Sequence, residues 1–172
     1  PKLHPSNKDF SDVEQYKKNR YVCMAPTSVW FTKQLPKEQW VKLTNKIDDQ
    51  TTVYLLGGPD DAAQCEEIKS LSNNKHVVNL SGKLSFLQSA ALMQNAHMNY
   101  VNDSAPLHIA SAMNAPVTAY FCSTVPSFGF GPLSDKTKIV ELKEKLSCRP
   151  CGLHGKKECP EKHFDCGFKI EV

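Results

Sequence analysis

Asp103-Ser104-Ala105-Pro106-Leu107-His108-Ile109-Ala110 decides how this chain is read. The octapeptide follows an apolar run ending at Tyr100-Val101 and opens a helix-like segment, Ala110-Ser111-Ala112-Met113. An acid, a hydroxyl and backbone N–H groups therefore stand where a parallel strand would hand over to a helix. In open α/β sheets ligands bind at such handovers, and a helix N-terminus favours phosphate there. The same residues also suit an ordinary helix cap, because Asp and Ser are preferred at that position. The octapeptide alone leaves both readings open.

Working outward, the chain alternates. Tyr21-Val22-Cys23-Met24-Ala25 reads as a buried strand, and Pro36 starts a helix with Trp40, Leu43 and Ile47 on one face. Thr52-Val53-Tyr54-Leu55-Leu56 is a second strand, closed by Gly57-Gly58-Pro59, and a polar helix runs from Asp61 to Leu71. His76 to Leu80 is a third strand, and Leu87, Ala91 and Met93 to Ala96 mark another helix. His97 to Val101 is a fourth strand and Val117 to Phe121 a fifth. Strands separated by helices imply parallel pairing with right-handed crossovers. The expected fold is a Rossmann-like parallel sheet with helices on both faces, over residues 21–146. Residues 1–20 break the rhythm and read as a linker ending in a short helix. Residues 147–172 form a Cys-rich tail expected to pack on the same domain.

Composition narrows the class. A length of 172 residues suits one domain with a proper core. A charged fraction of 23% and a hydrophobic fraction of 40% are ordinary for a globular protein. A net charge of +3 gives no argument for a nucleic-acid partner. No apolar run approaches the roughly 18 residues of a membrane span. Pro1-Lys2-Leu3-His4-Pro5 lacks the regions of a signal peptide and has no initiator Met, so a piece of a longer protein is expected.

The seven cysteines divide into two sets. Cys23, Cys65 and Cys122 are scattered and read as packing residues. Cys148, Cys151, Cys159 and Cys166 cluster, with His154 and His163 among them. Three readings compete for the cluster: a structural zinc site, two disulfides, or reduced thiols packed in the fold. Four thiolates on one zinc would leave no open position for catalysis. Lys156, Lys157 and Lys162 make the tail basic, which suits either an anionic membrane surface or a solvated loop.

Several segments together resemble one family. Ala25-Pro26-Thr27-Ser28-Val29-Trp30-Phe31-Thr32-Lys33-Gln34-Leu35-Pro36 resembles the first strand-loop motif of the lipopolysaccharide heptosyltransferases, glycosyltransferase family 9. Leu55 to Asp61 is similar to the second motif, and Asn79 to Ser85 to the third. Asp103 to His108 is similar to the family's D-[ST]-G-x-x-H signature. Cys148-Arg149-Pro150-Cys151, Cys159-Pro160 and Cys166 resemble the cysteine-containing tail of many members. The matches run in order from residue 20 to 168. The resemblance implies the C-terminal, donor-binding half of a GT-B fold. It also implies an N-terminal half, outside this chain, that binds the acceptor and supplies the general base. On that expectation the fragment binds nucleotide sugar but does not turn it over alone.

The resemblance assigns roles residue by residue. Transfer from a nucleoside diphosphate sugar leaves an anionic diphosphate, which without a catalytic metal needs a cation, hydroxyls or a helix N-terminus. Lys33 is the candidate cation, against a solvated loop lysine as the plainer reading. Ser28 and Thr32 are candidate hydroxyl donors. Ser104, Ala105 and the N–H groups after them would hold the distal phosphate, with His108 supporting the loop or the phosphate. Asp103 would orient the donor sugar. Asp61, or Asp60 if the register shifts by one, would contact the ribose, with a helix cap as the alternative. Leu84 would meet adenine and Thr124 the nucleoside. The family usually has Gly where Ala105 stands, and Gly where Cys122 follows Phe121. A methyl at Ala105 is expected to crowd the donor.

The implied donor is ADP-heptose and the implied acceptor the lipopolysaccharide inner core. No catalytic cofactor is implied, and structural zinc remains one reading of the tail. The implied location is cytoplasmic, with at most peripheral contact at the inner face of the inner membrane. Two other classes stay open: a GT-B transferase or epimerase with another donor, and a nucleotide-binding or zinc-organised module without enzymatic function.

Overall fold

The structure, a computed structural model, describes residues 1–172. Six strands form one sheet: β1 (Tyr21–Ala25), β2 (Thr52–Leu55), β3 (Val77–Asn79), β4 (Asn99–Asn102), β5 (Val117–Phe121) and β6 (Thr137–Glu141). Their spatial order is β3-β2-β1-β4-β5-β6, and every neighbouring pair is parallel. This is the Rossmann strand order. The helices are α1 (Asn7–Val13), α2 (Lys37–Lys46), α3 (Ala62–Leu71), α4 (Phe86–Gln94), α5 (Ala105–Ala112) and the short α6 (Asp165–Phe168). No helix is long and apolar enough to cross a membrane.

Strand alternation sorts the core into two layers. Tyr21, Cys23 and Ala25 of β1 join Ala90 to Met93 of α4, Leu107 and Ala110 of α5, and Val13 of α1. Val22 and Met24 point the other way, to Trp40 and Leu43 of α2 and Cys65 and Ile68 of α3. All five residues of β1 are buried, as a central parallel strand covered on both faces requires. Trp40 is fully buried and meets Tyr120 edge-on, with ring centroids 5.5 Å apart.

The tail completes the second layer. Phe164, Cys166 and Ile170 pack with Tyr120, Cys122 and Leu142. Gln39 Nε2 donates to the carbonyls of Phe168 and, at 2.9 Å, Ile170, tying the chain end to α2. The tail thus covers sheet surface that the α-helices leave bare, because only a single 3-10 turn, Pro126–Phe128, lies between β5 and β6.

Two elements differ from the sequence expectation. β6 is an additional, mostly exposed edge strand, Thr137-Lys138-Ile139-Val140-Glu141. Its charged, weakly apolar sequence carries little strand signal, and charge on an edge strand discourages pairing with other chains. Helix α5 starts at Ala105 rather than near Ala110. Pro106 falls in its first turn, where a fixed φ suits the helix and a missing N–H costs nothing.

Candidate functional site

The sheet order reverses between β1 and β4. The chain leaves β1 toward α2 in one layer and leaves β4 toward α5 in the other, so their loops diverge at the carboxyl edge. Such a divergence opens a crevice for ligand. Asn102, fully buried at the end of β4, ties the two loops together. Its Nδ2 donates to Pro26 O at 2.8 Å, and its Oδ1 accepts from Leu35 N–H at 2.9 Å.

A cleft of about 650 Å³ opens there. Ser28 lines it from the β1 loop, Asp60 and Asp61 from the β2 loop, Leu84 from the β3 loop, and Ser104 and Ala105 from the start of α5. Five expected site residues, Ser28, Asp61, Leu84, Ser104 and Ala105, thus share one wall-to-wall space, as does the alternative Asp60. Its apolar wall includes Met93 and Ile109.

The start of α5 is suited to an anion. Ser104 is the N-cap in extended conformation, and its side chain caps no helical N–H. The N–H groups of Ser104 and Ala105 have no backbone acceptor. Unpaired N–H groups and the helix dipole both favour negative charge at this point. Ala105 is exposed, helical and without positive φ, so its backbone does not require the glycine usual in the family.

Lys33, Asp103, Thr124 and Thr32 do not line the cleft; they form a buried group beside it. Lys33 Nζ lies 2.8 Å from Asp103 Oδ2, and Thr124 Oγ1 donates to the same oxygen at 2.6 Å. The Asp103 side chain is 5% exposed and that of Lys33 16%. Burial of the carboxylate is offset by these two partners. Thr32 is buried, and its hydroxyl accepts from Lys156 N–H at 2.8 Å and from Ser123 Oγ at 3.1 Å. Those bonds fix loops to each other, and the buried hydroxyl that the sequence offered to phosphate serves as their shared acceptor. His108 is exposed on α5 and packs edge-on against Phe130, away from the cleft.

The β2 loop is shaped by its glycines. Asp61 Oδ2 accepts from Gly58 N–H at 2.7 Å, so the carboxylate closes its own turn while bordering the cleft. A Cβ on Gly57 would lie 2.7 Å from Asp61 Cβ, so only glycine admits that approach. Asp60 beside it is exposed.

One residue that shapes the surroundings of the cleft had no role in the sequence reading. Arg149 Nε donates to Cys122 O at 2.6 Å, and its Nη2 to Thr124 O at 2.8 Å and Phe121 O at 3.2 Å. It also pairs with Glu141 at 2.6 Å. Arg149 therefore holds the loop that carries Thr124. It sits inside the Cys148–Cys151 spacing, whose only local signal is the pair of thiols. Cys122 itself is fully buried in the second layer, where burial pushes its thiol well above the usual range.

The tail thiols lie near one another without closing on a point. All seven cysteines are unpaired, and no group of three or more His, Cys, Asp or Glu side chains is placed to hold a metal ion. Cys148 Sγ lies 3.9 Å from His163 Nε2, and Cys151 Sγ donates to Cys148 O at 3.2 Å. Burial, then the neighbouring Cys151 and Cys159 thiols, push Cys166 up to about 12.

A parallel Rossmann-like sheet with an anion-suited helix start at its switch point defines the α/β class of this fold. The sequence profile of glycosyltransferase family 9 (heptosyltransferase) matches residues 2–164, and the chain belongs to that family. It is 34% identical over 116 residues to the lipooligosaccharide heptosyltransferase 2 of Haemophilus influenzae, covering 65% of this chain and 33% of that protein. It is 33% identical over 110 residues to the lipopolysaccharide heptosyltransferase 3 of Escherichia coli, covering 62% and 32%. The solved E. coli ADP-heptose lipopolysaccharide heptosyltransferase II superposes with a TM-score of 0.74 at 24% identity, over 88% of this chain and 50% of that one. The chain thus spans about a third of the length of those curated relatives and half of that solved chain, one Rossmann-like half of a GT-B fold.

Proposed function

We propose that this chain is the donor-binding half of a glycosyltransferase that moves heptose from ADP-heptose to the lipopolysaccharide inner core. The observation that carries this reading is the start of α5. Its Ser104 and Ala105 N–H groups lack acceptors and border the cleft, one residue from the Lys33–Asp103 pair. ADP-heptose is the donor named for the solved E. coli relative.

In this reading the donor diphosphate lies across the N-terminus of α5. The bond between the sugar C1 and the distal phosphate oxygen breaks, and its electron pair stays on the diphosphate. The N–H groups of Ser104 and Ala105 and the Lys33 ammonium stabilise the growing charge, without a catalytic metal. Asp103 holds Lys33 and stands next to the sugar. Ser28 faces the diphosphate from the opposite loop, while Asp61 or Asp60 accepts from ribose hydroxyls. Leu84, with the apolar wall, receives the base. Thr32, Thr124 and His108 support the loops around the diphosphate rather than touching it. The acceptor hydroxyl forms the new bond to C1, and its proton passes to a base that a companion acceptor-binding half supplies. We place the reaction in the cytoplasm, with peripheral contact at the membrane that carries the acceptor.

Calorimetric titration with ADP, UDP and GDP, then ADP-heptose, tests the reading. Selective ADP binding, tightened by the heptose, supports it. Preference for another base moves the protein to a different donor class, and absence of binding to any nucleotide contradicts it.

A further inference from the structure

The tail does more than cover the sheet. Its segment from Cys151 to Lys156 runs between the loops that follow β1 and β5. Cys151 N–H donates to Ser123 O at 3.0 Å, and Ser123 N–H donates to Thr32 O at 3.2 Å. Lys156 brackets Thr32 from both sides: its N–H donates to Thr32 Oγ1 at 2.8 Å, and its carbonyl accepts from Thr32 N–H at 3.1 Å. Between these anchors lies Gly155, which is buried although its neighbours Leu153, His154, Lys156 and Lys157 are exposed.

Gly155 presses on the stem of Lys33. A Cβ there would lie 2.5 Å from Trp30 Cβ, 2.7 Å from Lys33 Cγ and 3.0 Å from Lys33 Cδ. Atoms cannot approach so closely. Trp30 Cβ moves only with its backbone, which the Thr32 bonds pin, so the strap itself must back away, from Trp30 and from the lysine stem it supports. That stem carries the ammonium placed 2.8 Å from Asp103 Oδ2.

We propose that Gly155 is a positioning residue: the bare backbone of the tail strap packs on the Lys33 stem and aims its ammonium at the donor diphosphate. This rests on Lys33 being the cation that holds the diphosphate. The strap would then make the tail part of donor binding while touching no donor atom. A bulkier residue at Gly155 displaces the cation without altering the cleft floor that receives the nucleoside.

The test is titration of the chain and its Gly155→Ala, Lys33→Ala and doubly substituted forms with ADP and with adenosine. The expected result is that Gly155→Ala weakens ADP several-fold, leaves adenosine unchanged, and adds nothing once Lys33 is Ala. Adenosine lacks the phosphates, so a general loss of structure would weaken both ligands together. ADP affinity unchanged in Gly155→Ala overturns the proposal. So does equal weakening of ADP and adenosine, or an undiminished loss in the Lys33→Ala background. If Lys33→Ala itself binds ADP normally, the diphosphate role of Lys33 fails and the strap with it. If Lys33→Ala weakens ADP and Gly155→Ala does not, only the strap fails. Thr32→Val, which removes the acceptor for Lys156 N–H at nearly constant volume, gives the same pattern of outcomes where Gly155→Ala does not fold.

Discussion

Lys33 and Asp103 meet across the switch point of the sheet, their charged atoms 2.8 Å apart, one from the loop after β1 and the other from the end of β4. The pair joins the two divergent loops electrostatically, as Asn102 joins them by hydrogen bonds. Removing the lysine therefore has two effects. Lys33→Ala is expected to weaken ADP binding by about 1.5–3 kcal/mol, the range for charge-assisted hydrogen bonds. It also leaves Asp103 buried with Thr124 as its partner, so thermal stability falls too. Calorimetry and a melting curve on the same variant separate the effects, and unchanged ADP affinity removes Lys33 from the site.

Asn102→Ala breaks the hydrogen-bonded tie. Leu35 N–H and Pro26 O lose their partner within the protein. The expected cost is about 1–3 kcal/mol of stability, typical of a buried polar group left unsatisfied. Urea unfolding checks it, and a loss within experimental error contradicts the assignment.

Arg149→Met keeps much of the stem and removes the donors to three carbonyls. The Glu141 pair is partly exposed and adds little. Loss of the carbonyl bonds is expected to destabilise the protein by about 1.5–3 kcal/mol, as for hydrogen bonds to a charged group. Faster hydrogen exchange in residues 122–125 distinguishes loss of this clamp from a general weakening.

Alkaline pH is expected to erode stability. Burial pushes Cys65 up to about 11 and Cys166 up to about 12, from an ordinary value of 9.0. The folded state thus keeps protons that the unfolded chain releases above about pH 9. Stability from these thiols is full below that pH and is lost as pH rises through 11 and 12. Urea midpoints measured from pH 7 upward should hold steady and then fall. A rise above pH 9 would contradict the burial of these groups.

The tail thiols give a separate test. Because no ligand set closes on a metal, alkylation of the native protein is expected to proceed at the same rate with and without a strong chelator. Acceleration by the chelator, together with about one zinc per chain, would establish the zinc reading instead.

Much of this was legible in the sequence because the signals are local. Apolar runs alternating with helical periodicity marked the first five strands, β1 to β5, and the Gly57-Gly58-Pro59 turn and the Asp103-Ser104 handover marked the carboxyl edge. The edge strand β6 was not legible, since Lys138 and Glu141 dilute its pattern and no α-helix separates it from β5. The division of the site was hidden for another reason. Ser28 and Thr32 look alike as hydroxyls in one motif, yet one borders the cleft and the other is buried beneath the tail. Only packing of residues distant in sequence decides that. Arg149 and Gly155 are of the same kind, since their effect lies in loops more than twenty residues away.

The central claim is that a nucleoside diphosphate rests at the start of α5 in the cleft between the β1, β2 and β4 loops. Backbone amide shifts followed by NMR during ADP titration test it directly. The largest changes are expected at Ser104 and Ala105, with accompanying changes at Gly57 to Asp61 and Leu84. Saturable ADP binding that leaves Ser104 and Ala105 unmoved would contradict it.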